Sequence, residues 1–348
     1  MNPTVKIKKL PHSVIEIEGE LPFSDLEVHR ERALKKLGEN LNLAGFRKGH
    51  IPEKMALEKI GEVNLLNEMA EMALGNAYPK IIIDKEIDPI AHPQITITKI
   101  AMGNPLGFKI KVPVMPNFEL PDYKKISEEI ASREEKIEVK KEDIDNVINQ
   151  VLDSKKGEDG KRPELTEELV KTLGDFKDLK DFNQKVGVGV KKEKEFRVKE
   201  KVRIQIMEEI ISKSKIELPE VIIESELDKM IASFKGDIKR MGLEPDEYLK
   251  NNNKTIEDLR KEWRGEAEKK GKSQLILNKI AIEEKLYPKK DDVEKEAEHL
   301  MTHHKDADPN RIKVYVEMVL TNEKVMQFLE KGAQETGEKE IENKDKKE

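Results

Sequence analysis

The apolar period of this chain changes once, near Pro116, and that change limits what it can fold into. Before Pro116, Val5 and Ile7 alternate with lysines, Ile15 and Ile17 alternate with glutamates, and Phe108, Ile110, Val112 and Val114 alternate strictly. A period of two marks strands with one face covered. Between these ends the period is helical. Leu26, Ala33, Leu34 and Leu37 share a side; Leu65, Leu66, Met69, Met72, Ala73 and Ala77 share another. Strands at both ends around central helices predict an α+β domain. Beyond Pro116 the steps are three and four. Val198, Val202, Ile206 and Ile210 form one stripe; Ile223, Leu227, Met230, Ile231, Phe234, Ile238 and Met241 form the next. Further stripes run through Leu275–Leu286 and Ile312–Leu329, so this part is all helical.

Punctuation sharpens the boundaries. Ser24 and Glu27 have capping-box spacing for the first helix, and Gly38 suits its end. Pro52 suits the first turn of a helix ending near Gly61, and a second helix is expected over about 63–78. A small helix is expected at about 141–153, followed by the charged linker 154–162. Residues 334–348 are poor in apolar side chains and are expected to be a disordered charged tail.

A chain of 348 residues exceeds one compact domain. Charged residues (39%) outnumber hydrophobic ones (36%), which favours a large surface over a small core and an elongated helical part. The net charge of -6 makes non-specific nucleic-acid binding poor, so any such contact would be local. With no Cys, disulfides, thiolate metal sites and Cys nucleophiles are excluded. The N-terminus lacks a continuous apolar segment, and no apolar run approaches the ~20 residues that span a bilayer, so the expectation is a soluble, cytoplasmic protein without a membrane partner.

Few residues suggest chemistry. His299 and His303 share a helix face, but the order is not HExxH and no third ligand is evident, so no metal site is expected. Gly187-Val188-Gly189 lacks the third glycine of a dinucleotide fingerprint, and the following Lys-Lys is not a phosphate loop. Carboxylates such as Glu195 with Lys199 and Glu266 with Lys270 have the spacing of solvated helix faces. No catalytic residue and no cofactor is expected.

The segment Ala44-Gly45-Phe46-Arg47-Lys48-Gly49-His50-Ile51-Pro52 stands apart. Two glycines flank an apolar-basic triplet at a loop tip, where the backbone can turn sharply. Phe46 could wedge into an apolar crevice while Arg47 and Lys48 engage phosphates or carboxylates, which suits a surface of RNA and protein together. The alternative is an ordinary surface loop with Phe46 tucked back into its own domain.

GFRKGHIP closely resembles the ribosome-binding loop of bacterial trigger factors. The flanking order resembles that family as well, through the DPIAHP turn and Val112-Pro113-Val114-Met115-Pro116, and again from Arg162-Pro163-Glu164-Leu165-Thr166 through Glu217-Leu218-Pro219. The resemblance implies an ATP-independent chaperone that docks through Gly45, Phe46, Arg47, Lys48 and Gly49 on the large ribosomal subunit, touching an exit-tunnel protein and nearby ribosomal RNA. His50 stands where the family more often has Lys. Residues 1–116 would bind the ribosome, and 117–333 would form arm-like helical hairpins cradling nascent and unfolded polypeptides. A homodimer off the ribosome, and links to cell division and protein transport, come with the family. Met230, Phe234, Met241, Met301, Met318 and Met326 are candidates to line the cradle, the alternative being that they are ordinary cores of helix pairs. The prolyl isomerase domain usual in the family would need roughly 100 residues, and the linker 154–162 has no room for it. No isomerase activity is therefore expected. The rival reading is a ribosome-independent cytosolic holdase or assembly chaperone.

Overall fold

The computed structural model describes residues 5–39, 41, 52–132, 137–156, 162–303 and 307–345. The chain divides into two compact units: Met1–Phe118 with Lys215–Lys272, and Glu119–Ser214 with Ser273–Glu348.

The first unit is built on an antiparallel sheet of order β1-β2-β4-β3, comprising β1 (Val5–Leu10), β2 (Val14–Leu21), β3 (Gln94–Lys99) and β4 (Leu106–Pro113). Its register explains the alternation in the sequence. Ile7, Ile17, Ile110 and Ile95 lie in one row across all four strands. The central two are fully buried and the edge two are 44% and 41% exposed, because only the centre has covered neighbours on both sides. On the opposite face Lys6, Glu18 and Lys109 form a row, as do Lys8, Glu16 and Lys111. Opposite charges therefore face each other across strands, with Lys109 to Glu18 at 3.5 Å and Lys99 to Glu20 at 3.8 Å. The β3–β4 register shifts between Ile97 and Lys99, and there a Cβ on Gly107 would lie 2.8 Å from Thr98 Oγ1; the bulge needs glycine.

Four helices cover the apolar face: α1 (Phe23–Glu27), α2 (Arg30–Gly38), α3 (Glu53–Ile60) and α4 (Glu62–Asp84). Leu65, Met69, Ala70, Ala73, Leu74, Ala77 and Ile81 of α4 join Phe108 and Ile110 in one core. Gly61, at φ +79° and ψ 146°, ends α3 and starts α4 in a backbone state open to glycine. Three expectations are corrected here. Ser24 makes no cap hydrogen bond, since the N-cap of α1 is Pro22, and the expected first helix is two, parted at residues 28–29. Also, α4 does not stop near 78 but runs through Pro79 to Asp84. Proline removes one N–H donor, and the helix nevertheless keeps Ala77 and Ile81 on either side of it buried.

The β1–β2 turn places two successive non-glycine residues in the left-handed region, His12 at φ 60° and Ser13 at φ 52°. Each such residue costs about 1–3 kcal/mol. The turn is held by neighbours: Ser13 C=O accepts from Val114 N–H at 2.9 Å, His12 N–H donates to a Glu217 carboxylate oxygen at 3.1 Å, and Ser13 Oγ donates to the Glu217 carbonyl at 2.9 Å. Hydrogen bonds of these kinds contribute about 0.5–3 kcal/mol each, so strain and contacts are of similar size.

The same unit includes α9 (Glu220–Arg240), α10 (Pro245–Asn251) and the first part of α11 (Ile256–Glu284). Arg260 bridges to Glu224 and Asp228, and Arg264 grips Glu220 with two parallel hydrogen bonds, pairing α9 with α11. Thr255 and Asp258 exchange hydrogen bonds across the start of α11.

The second unit contains α5 (Tyr123–Ala131), α6 (Lys141–Asp153), α7 (Glu167–Leu173), α8 (Leu179–Lys213), the remainder of α11, α12 (Lys290–His303) and α13 (Pro309–Asp345). Ile148, Leu152, Val170 and Phe182 make one core, and Ala297, Ile312 and Val316 make another. Arg203 on α8 takes Glu323 of α13 in a bidentate grip at 2.8 and 2.9 Å and also bonds Glu330. Its guanidinium is only 16% exposed and is held more firmly protonated by these partners, while Glu323 is pulled below the usual carboxylate range. Glu330 also pairs with Lys199 at 3.2 Å, in place of the Glu195–Lys199 pair expected from spacing. The helix α13 runs to Asp345, into the charged tail. Low apolar content argues against packing rather than against helix, and Glu and Lys are good helix formers.

Candidate functional site

The glycine-flanked loop falls in the connection between α2 and α3, and Gly45, Phe46, Arg47, Lys48, Gly49 and His50 lie outside the described residues. Its frame is described. Ala33 and Leu34 of α2 and Ala56 and Ile60 of α3 are buried in the sheet–helix core, so the loop springs from two anchored helices. Near the end of α2, Lys36 bonds the nearly buried carboxylate of Glu68 on α4.

The six apolar candidates separate into different environments. Phe234 of α9 is half-buried in an aromatic cluster, edge-on to Tyr248 of α10 (5.9 Å between centroids) and Trp263 of α11 (5.7 Å). Met230 is half-buried one turn earlier, whereas Met241, in the α9–α10 connection, is 70% exposed beside the exposed Leu243. In the second unit Met301 packs against the Ala297–Ile312–Val316 core and Met326 is half-buried, but Met318 is exposed.

Met318 is not alone. Val314, Tyr315, Met318 and Val319 form an apolar face on α13 that is open to solvent, while Ile312 and Val316 of the same helix are buried against α12. Only Met318 was singled out from sequence; its companions were absorbed into the stripe Ile312–Leu329. The signal was there, since seven of the nine residues from 312 to 320 are apolar. So wide an arc cannot all face one neighbouring helix.

Sequence reasoning also missed a groove between α5 and α8, of about 650 Å³. Ile126 and Ile130 line one wall, Val198 and Val202 the other, with Glu129, Lys201 and Glu209 at the edge. That volume is in the range of pockets that take a small ligand or a short peptide segment.

Other chemistry finds no frame. Gly187 and Gly189 sit inside α8, where the backbone N–H groups serve the helix and cannot cradle a phosphate. His299 and His303 stack edge-on at 5.4 Å, and the described residues hold no cluster of three metal-ligating side chains. At the expected linker, Arg162 folds back on α6, donating to Asp153 at 2.8 Å and to Asn149 at 2.9 Å. That clasp draws Asp153 below its ordinary range, with Lys156 adding to the effect. Tyr123 also serves structure: it donates to Glu284 at 2.7 Å, and burial with that neighbour pushes its phenol well up. No helix among the described residues is long and apolar enough to cross a membrane.

Anchored helices here leave apolar faces open to solvent, a surface of the kind found where proteins bind apolar partners. Comparison with known proteins supplies the family. The model for the bacterial trigger factor protein matches residues 3–151, and that for the trigger factor C-terminus matches residues 178–335. The trigger factor of Moorella thermoacetica is 23% identical, with 84% of this chain and 85% of that protein covered. That of Finegoldia magna is 25% identical, covering 76% and 80%. A solved structure from work on promiscuous substrate recognition in the folding and assembly activities of the trigger factor chaperone superposes with a TM-score of 0.53 at 16% identity, covering 94% of this chain and all of that one. At that identity the likeness establishes the fold, a small sheet with helices followed by a mainly helical region. The chain belongs to the trigger factor family, and its general function is that of a chaperone.

Proposed function

We propose that this chaperone docks on the large ribosomal subunit through Gly45–Gly49 and shields apolar segments of emerging polypeptides without using ATP. The observation that carries docking is the Gly-Phe-Arg-Lys-Gly sequence, placed between two helices anchored in the N-terminal core. Phe46 supplies apolar area, and Arg47 and Lys48 supply fixed charges for phosphate or carboxylate. Residues 1–116 would then act as the docking domain and 117–333 as the holding domain, in the cytoplasm.

Client holding is supported by the open face Val314–Tyr315–Met318–Val319 and by Met241. Flexible methionines among other apolar side chains adapt to varied partners, and binding by burial needs no catalytic group or nucleotide. The helical setting of Gly187 and Gly189 agrees with ATP independence. Met230, Phe234, Met301 and Met326, each half-buried in its own unit, would be the remaining candidates to meet a client.

A chaperone without isomerase activity is the reading for residues 154–161, which leave eight positions between Asp153 and its partner Arg162. A prolyl-peptide assay is expected to show no catalysis above background.

The deciding experiment is co-sedimentation with bacterial ribosomes, comparing the parent with the Phe46→Ala, Arg47→Ala, Lys48→Ala triple variant at low and moderate salt. The parent is expected to pellet, more weakly as salt rises, and the folded variant to stay in the supernatant. If neither pellets, the chain is a ribosome-independent holdase. His50→Lys is expected to tighten docking, since lysine is charged where histidine is mostly neutral.

A further inference from the structure

The β1–β2 turn is strained and yet spends two of its polar groups on a residue 205 positions away, Glu217. Glu217 lies in the extended connection leading into α9, immediately before Leu218-Pro219. We propose that the turn and Glu217 form a two-point latch joining the N-terminal sheet to the root of α9, one that opens while both sides stay folded.

Each side of the latch is anchored independently. On the sheet side, Ser13 C=O is tied to Val114 N–H, and Leu10 pairs with Val14 to close the hairpin. On the helix side, Leu218 is buried and packs beside Gly271 of α11, where an added Cβ would meet its methyl at 3.0 Å. Glu220 is clamped by Arg264. Between these anchors run the His12 N–H bond to the Glu217 carboxylate and the Ser13 hydroxyl bond to the Glu217 carbonyl, both at the surface. His12 also lies close enough to Glu220 to help favour its ionised form, after the larger effect of Arg264.

Two left-handed non-glycine residues push the turn away from its latched shape, and two solvent-exposed hydrogen bonds hold it there. Terms of like size and opposite sign leave a local equilibrium that a modest perturbation can shift. A hairpin that served only to join two strands could carry Gly at these positions and avoid the left-handed strain, without need of Glu217. The inference does not depend on ribosome docking, and its test needs no ribosome.

Hydrogen exchange on the full-length protein distinguishes a latch from structural cement. In Glu217→Ala the His12 amide and the amides of 215–218 are expected to exchange at least about tenfold faster, while Ile17 and Ile110 in the central strands stay within about twofold of the parent. In His12→Gly, which removes strain and keeps both donors, the same latch amides are expected to slow by roughly fivefold. The proposal is overturned if Glu217→Ala leaves the His12 amide unchanged, if the acceleration spreads equally to Ile17 and Ile110, or if His12→Gly speeds exchange at 215–218.

Discussion

The sheet core and the α12–α13 pair use the same kinds of side chain for opposite ends. In β4, Leu106, Phe108, Ile110 and Val112 are all fully buried, and the charged residues between them face away. In α13, Ile312 and Val316 are buried, while Val314, Tyr315, Met318 and Val319 remain exposed. A sheet with helices on one face has a single place for its apolar residues. A helix whose apolar arc exceeds what one neighbour can cover keeps the surplus open. The first arrangement yields a rigid platform and the second an adaptable surface, and a chaperone has use for both.

Removing a side chain from each region should break this symmetry. Phe108→Ala should cost about 3–5 kcal/mol, because it leaves a cavity in a close-packed core. Urea unfolding should show this as a lower midpoint for the first unit, with the signal of the helical second unit little moved. An equal loss in both signals would mean that the platform and the open surface are one cooperative block.

A smaller loss is expected within the second unit from Arg203→Ala. The guanidinium satisfies Glu323 and Glu330 in a largely covered position, so its removal should cost about 2–3 kcal/mol. Acid should erase part of that difference. Glu323 titrates below its ordinary 4.5 because Arg203 holds the charged form. Its contribution is therefore present above 4.5 and is lost as pH falls through the depressed folded value. Parent and variant midpoints should converge below 4.5; a constant gap would place the value of Arg203 in packing rather than in charge.

The smallest effect on stability, and the largest on binding, is expected at the open face. Tyr315→Ser with Met318→Ser should change stability by no more than about 0.5 kcal/mol per site. The same pair should weaken suppression of client aggregation severalfold. Trp263, the single tryptophan, packs on Phe234 in the other unit and gives an internal check that the fold is undisturbed. Clear destabilisation without loss of client suppression would make the α13 face structural.

Much of the fold was legible because local patterns are short-range. Strand alternation gave β1, β2 and β4; Pro52 and Gly61 bracketed α3; the stripe through Ile223, Leu227, Ile231 and Ile238 is the buried face of α9. The misses have a common cause. The second helix was expected only to about 78, yet α4 continues through Pro79 to Asp84. Lys199 was paired with its helical neighbour, whereas a second helix offers Glu330. Sequence weighs residues a few positions apart, and these outcomes were decided by residues more than a hundred positions away or on other elements. The candidate site divides likewise: the Gly-Phe-Arg-Lys-Gly loop, Met318 and the wide apolar arc of 312–320 were visible, while the exposure of Val314, Tyr315 and Val319 and the α5–α8 groove were not.

By itself, then, the sequence determined where the period changes from two to three and four, and hence a sheet-bearing N-terminal part followed by helices; backbone geometry and side-chain alternation suffice for that. It also displayed the loop motif, which is contiguous. Tertiary structure decided which apolar residues were left over once each helix had found its neighbour. It also decided that Glu217 should meet a strained turn 205 residues earlier. Burial is a property of pairs of surfaces, and no single stretch of chain contains both members of the pair.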